Sequence, residues 1–314
     1  DTDRSRGLGD VYKRQHMRQI ILLIIFFQTL LISAQGYITF DNFSTSRLRN
    51  DAGEYFGSGS MQMISGGYNI PLYTKTNERN QLTALSISTY ATYADLSNTG
   101  EASSFNPDKI INTGLSLSYI HPISKKWSIL VAGGAGIYAP ADEIKMNSVL
   151  GNGGVIFIFR LNNNLSLGIG GGVSNSYGVP MAMPMIYLSW QRNGKFMFSI
   201  DMSNTIKIST STILWDKLKL ELAPMEVDGL MAVRHTDDGD QIYSMVMLQS
   251  YFSPSFLFSK KFSLFAKIGG NWIRGISAKE RSLKSFFDGF RSNNNEAPYF
   301  NVSLRLSAGI RFSF

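Results

Sequence analysis

The last sixteen residues constrain the fold more than any other stretch. Phe300, Val302, Leu304, Leu306, Ala308, Ile310, Phe312 and Phe314 fall on one parity, and Tyr299, Asn301, Ser303, Arg305, Ser307, Gly309, Arg311 and Ser313 on the other. Side chains that alternate with period two belong to a β-strand with one apolar and one polar face. A soluble sandwich would neither expose nor bury eight alternate apolar positions in one strand. An arginine facing lipid at mid-bilayer costs roughly 2–4 kcal/mol. The apolar face is therefore expected to meet hydrocarbon, with Arg305, Ser307 and Arg311 facing an interior.

The pattern recurs upstream. Leu85, Ile87, Thr89, Ala91 and Tyr93 share a face, as do Leu115, Leu117 and Tyr119. So do Trp127 to Ile137, Leu165 to Val173 and Phe262 to Trp272, each read in steps of two. Trp127, Trp190, Trp272, Phe312 and Phe314 weight the segment ends with aromatics, as interfacial girdles do. The 314-residue chain is 44% hydrophobic but only 17% charged, with a mean hydropathy of −0.04. That average is too low for a bundle of membrane helices and suits alternation. The absence of cysteine excludes disulfides, thiolate metal sites and a lipid-modified cysteine.

Short polar turns at 124–126, 162–164, 192–195 and 259–261 alternate with longer connections at about 95–109, 139–147, 204–240 and 274–298. Ser124-Lys125-Lys126-Trp127-Ser128-Ile129 and Ser259-Lys260-Lys261-Phe262-Ser263-Leu264 match as a repeated hairpin start. The segments predict an all-β, closed, antiparallel up-and-down transmembrane β-barrel of about 12 strands, with 10 or 14 as alternatives. The count turns on 204–240, where Leu218, Leu220 and Leu222 alternate and another hairpin would make fourteen.

The N-terminal region reads differently. Residues 1–16 show no periodicity and look like a non-native read-through extension. Met17 and Arg18 lead into Ile20–Ile32, an apolar run broken only by Gln28 and Thr29, and then Ser33-Ala34-Gln35-Gly36. Residues 17–34 are expected to be a secretory signal peptide cleaved after Ala34, with 35–314 as the barrel domain. The run is too short for an ordinary spanning helix.

Taken with the ending Arg305-Leu306-Ser307-Ala308-Gly309-Ile310-Arg311-Phe312-Ser313-Phe314, the chain resembles a Gram-negative outer-membrane β-barrel, of an uncharacterised family with a domain of unknown function. The resemblance implies location in the cell outer membrane. It implies that Phe312 and Phe314 form a signal for the outer-membrane assembly machinery. Its partners would be outer-membrane lipid, that machinery and a small solute or apolar ligand.

Chemistry is sparse in the sequence. His121 reads as an interfacial polar residue. His235, Asp237 and Asp238 sit in one run expected in a long outer loop, where barrel proteases place Asp and His groups able to activate water. The same run lacks the full calcium-loop spacing, and a solvated turn explains it as well. The glycine-rich stretches Gly151–Gly154 and Gly168–Gly172 lack the phosphate-loop lysine and lie within strand patterns. Ser166, Gly168, Gly170 and Gly172 would face the lumen and leave space unless bulky neighbours fill it, while Ile156 and Ile158 face inward. No cofactor, metal or nucleic-acid partner is indicated. The leading expectation is a non-enzymatic barrel acting as a narrow channel or small-molecule transporter. The alternatives are a surface-interaction barrel working through its long loops and, third, a barrel hydrolase using the His235 region.

Overall fold

The computed structural model describes residues 34–313 except 51, 80, 177, 179, 203–204, 238, 283 and 285–297. The expected extension and signal peptide thus lie outside the described residues, as do Phe314 and Asp238. The chain runs β1 (Gln35–Arg49), β2 (Tyr55–Thr76), β3 (Leu82–Gly100), a single helical turn α1 (Ala102–Phe105), β4 (Lys109–Pro122), β5 (Trp127–Pro140) and β6 (Val149–Arg160). It continues through β7 (Leu165–Ser174), β8 (Met181–Arg192), β9 (Met197–Asp201), β10 (Ile206–Leu214) and β11 (Leu218–Thr236). It ends with β12 (Gly239–Ser259), β13 (Phe262–Glu280), β14 (Tyr299–Phe300) and β15 (Ser303–Ser313).

Each strand pairs antiparallel with the next, and β15 closes the ring by pairing with both β13 and β1. The short β14 bridges the same two neighbours, so β14 and β15 form one interrupted stave. The barrel therefore has fourteen staves among the described residues. The expected number of about twelve rises to its upper alternative because 204–240 is largely a hairpin, β10 and β11, and not a loop.

The predicted faces hold. Leu304 and Leu306 point outward and are about half exposed, whereas Arg305 and Ser307 point inward and are buried. Ile169 and Ile186, on the outer faces of β7 and β8, are 70% and 68% exposed, so a belt of bare aliphatic side chains surrounds the wall. Aromatic rings gather at the end that carries the start of β1, the end of β15 and the short turns: Trp127 against Phe159, Tyr68 against Phe312, and Phe258 between Phe256 and Phe262.

The wall is uneven. β2, β3, β11, β12 and β13 run 19–22 residues, while β9 has 5 and β10 has 9. β10 pairs with β11 only as far as Val227. Beyond that point β11 has lost one neighbour, and its unpaired edge needs another. It comes up against β4 and β5, on the opposite side of the ring. There the Asn112 side chain donates to the Met231 carbonyl at 2.9 Å. The tall wall thus folds over the low one, and the barrel narrows at its loop end.

The bend has a visible cause. Met61, Phe43, Arg305, Gly269, Tyr251 and Ala223 form one cross-strand row of direct partners. Immediately on its loop-end side the register shifts in three of the pairings: between Phe43 and Ser46, between Ala223 and Glu226, and between Leu248 and Gln249. Each extra residue bends and twists its strand. From Phe43 and Met61 of the row upward the narrowed interior is a packed apolar core with Leu48, Tyr243, Met245, Met247 and Phe300. Ala102 of α1 tucks into it, and Tyr243 Oη donates to Asn106 Oδ1 at 2.7 Å. An interior of about eight staves is narrow enough for side chains to fill.

Candidate functional site: the polar interior

Below the row the interior changes character. Arg305 is central to it: its Nη2 lies 2.8 Å from Asp41 Oδ1 and its Nη1 2.9 Å from Glu226 Oε2. The same guanidinium donates to Gln249 and to the Ser307 hydroxyl, and Ser307 in turn donates to Asp41. Arg305 also sits over the rings of Phe43 and Tyr251. Four staves, β1, β11, β12 and β15, meet in this network because the register shift in β11 brings Glu226 level with Gln249. The arginine is 3% exposed and Asp41 2%, so the network seals the central lumen.

Two cavities flank this seal. The first, about 440 Å³, follows the inner faces of β8 to β11 from Gln191 near the turn end to Thr205 at the loop end. Ser199, Ser209 and Ser211 line it with Asp201, Lys207, Lys219 and Glu221. Glu221 accepts from Lys207 at 2.6 Å and lies 3.3 Å from Lys219, so its charge is held between two ammonium groups. The second, about 560 Å³, is a vestibule at the turn end, lined by Tyr37, Tyr90, Arg311, Lys260 and Lys261 among others. The turns at this end carry Arg79, Lys125, Lys126, Lys195, Lys217, Lys260 and Lys261 against Glu78 and Asp216.

The inner faces of β6 to β8 are filled. A Cβ at Gly154 would meet Met185 Sδ at 2.4 Å, and one at Gly168 would meet Ile156 Cγ2 at 2.9 Å. Met185, Tyr187 and Ile156 occupy the space that the glycine-lined face leaves. Ser166 faces inward near the turn end, opposite Arg160 and Ser189.

At the loop end His235 has a partner other than those expected. Its Nδ1 is 2.6 Å from Asp240 Oδ1, while Asp237 is exposed and Asp238 lies outside the described residues. His235 Nε2, the nitrogen that a hydrolase would aim at water, is shielded from solvent without a hydrogen-bond partner. Among the described residues, no three His, Asp or Glu side chains gather as a metal-ligand set. The pair instead belongs to a latch. Arg281 reaches Asp240 at 3.5 Å and donates to the carbonyls of Asn147, Asn175 and Ser176, and Asn147 donates to Asp240 at 3.0 Å. These contacts tie the β11–β12 tip and the end of β13 to the loops after β5 and β7. Burial would raise the Asp240 carboxyl, but the hydrogen bond and charge of His235, with Asn147 and Arg281, hold it below its ordinary value.

Sequence periodicity found Arg305, Ser307, Arg311 and Ser166 by parity. It missed Asp41, although Tyr37, Thr39 and Asp41 alternate with Ile38 and Phe40. It missed Glu221 and Glu226 because they lie in the segment expected to be a loop. Residues 30–313 match the model of a domain of unknown function, DUF6268. The chain belongs to that family. No curated protein matches the sequence. Among solved structures, the DUF6268 chain is similar to an outer membrane channel from Pseudomonas putida F1, at 10% identity and a TM-score of 0.43, over 90% of this chain and 96% of that one. It is similar to the translocator domain of the autotransporter NalP from Neisseria meningitidis at 12% identity and a TM-score of 0.35, over 97% and 98%. The KdgM porin, solved with disordered oligogalacturonate, scores 0.29 at 9% identity, over 88% and 99%. Likenesses at these scores bear no argument about this chain's role.

Proposed function

We propose that this DUF6268 chain is an integral outer-membrane protein that serves as a narrow passage for small polar solutes, with the turn end in the periplasm and the loop end outside. The belt of bare aliphatic side chains supports the membrane placement, since hydrocarbon is the solvent in which such a surface is stable. The cavity along β8 to β11 carries the passage reading. It is polar and holds both signs of charge. It runs beside the sealed centre, where β9 and β10 are too short to let β11 close against them. Interiors that serve only stability fill with apolar side chains at little cost, as the upper core does, whereas buried charge carries a desolvation penalty.

Planar-bilayer recording with purified protein tests the reading. The expected result is a small, discrete conductance that Ser209→Trp, a plug placed in the cavity, reduces at least tenfold. Absence of conductance and of solute uptake into vesicles would remove the passage from the account while leaving the barrel intact.

A further inference from the structure

The vestibule has features that a solute route does not require. It is blind: above it the Arg305 network closes the central lumen. Its charged lining is all cationic, Lys260, Lys261 and Arg311, with no carboxylate among the lining residues. Arg311 is stacked on the Phe265 ring at 4.3 Å. Among the described residues no protein acceptor is seen to take a hydrogen bond from it, and the carboxylate whose charge it meets, Glu221, is already held by Lys207 and Lys219. Tyr37, 43% exposed, and Tyr90, 37% exposed, present ring surface to the interior. Large aromatic groups left bare beside a guanidinium with hydrogen-bonding capacity to spare form the pattern of a concave site with apolar walls and one orienting charge. A volume of about 560 Å³ suits a small organic molecule. The surrounding turns, rich in lysine, add a long-range field that raises the local concentration of anions at the mouth.

We infer that the turn-end vestibule binds a small organic anion. Its carboxylate or phosphate would be held by the Arg311 guanidinium, with Lys260 and Lys261 at the entrance and its apolar body against Tyr37 and Tyr90. Arginine suits this role, because its planar fork meets two oxygens of a carboxylate or phosphate at once. The site goes beyond the passage along β8 to β11: binding here requires no conduction, and conduction there requires no ligand here.

Isothermal titration of the detergent-solubilised barrel with sodium benzoate, inorganic phosphate and benzylammonium chloride tests the assignment. Saturable benzoate binding is expected, with weaker phosphate binding and none for benzylammonium. Arg311→Gln should weaken benzoate binding at least tenfold, and Arg311→Lys should give an intermediate value. Each variant is checked for the heat-dependent gel mobility of a folded barrel. Lys207→Gln, in the other cavity, should leave benzoate binding unchanged while altering any conductance, which separates the two readings. No saturable benzoate binding, unchanged binding in folded Arg311→Gln, or equal binding of benzylammonium would overturn the assignment.

Discussion

Arg305 shows how one residue can carry the organisation of an interior. Its two carboxylate partners come from β1, a neighbour of the final strand only through the closed ring, and from β11, which β13 and β12 separate from it. Removing one partner from a buried charge set costs far more than the set contributes, roughly 3–5 kcal/mol, because uncompensated charge is left behind. Arg305→Ala is therefore expected to lower unfolding stability by about that amount, measured as a shift in urea midpoint in lipid vesicles. Asp41→Asn with Glu226→Gln, added to Arg305→Ala, should recover much of the loss. Asp240 supports a second expectation. Its folded carboxyl is depressed, so the latch's contribution is complete above the unfolded value of about 3.9 and is lost as pH falls through the lower folded value. The stability advantage of wild type over Asp240→Asn should be present at neutral pH and shrink below about pH 4. An advantage independent of pH would show that the ion pair is not its source.

The strands divide by how openly the sequence declares them. β15 alternates without interruption, β13 does so as far as Trp272, where an extra residue leaves Trp272 and Ile273 both exposed, and β4, β5 and β7 nearly so, because one face meets hydrocarbon and the other meets polar side chains. β10 and β11 hide for two physical reasons. Their connection, Leu214-Trp215-Asp216-Lys217, contains neither Gly nor Asn, yet Trp215 and Asp216 adopt φ of 52° and 58°. A hairpin turn with both central residues left-handed ordinarily announces itself as Asn-Gly. The register shift at Ala223–Glu226 then breaks the parity of β11 midway. The network was legible only in part for the same reason: Arg305 and Gln249 lie on unbroken inner parities of β15 and β12, whereas Glu226 reaches them through the shift in β11, which periodicity cannot show. The turn makes its own prediction. Left-handed L-residues carry roughly 1–2 kcal/mol each, so Trp215→Asn with Asp216→Gly should raise the unfolding stability by about 1 kcal/mol. A loss of stability would mean that the Trp215 ring makes compensating contacts in the membrane interface.

At the scale of the whole molecule, one chain encloses two calibres. Fourteen staves surround the turn end, and above the row of register shifts β11 abandons β10 for β4 and β5, leaving about eight around a filled core. Among the described residues that upper edge is held against the opposite wall by packing, the Asn112–Met231 hydrogen bond, the His235 N–H donating to Glu143 at 3.3 Å and the Arg281–Asp240 latch at the tip. The low wall needs less such help, since β5 to β7 are paired on both sides along most of their length, while β8 meets β9 only at Ser189–Arg192. If the passage along β8 to β11 conducts, the position of β11 sets its width, because β8 and β11, on either side of the short β9 and β10, are both free of that neighbour over their upper lengths, and β11 is the one that leans across to β4 and β5. Arg281→Ala combined with Asp240→Asn releases the tip without touching the cavity lining. The single-channel conductance in planar bilayers should rise, with more frequent large openings, and Ser209→Trp added to the released pair should lower it again. Unchanged conductance in the released pair would show that packing on β4 and β5 alone fixes β11, and that the latch plays no part in setting the passage.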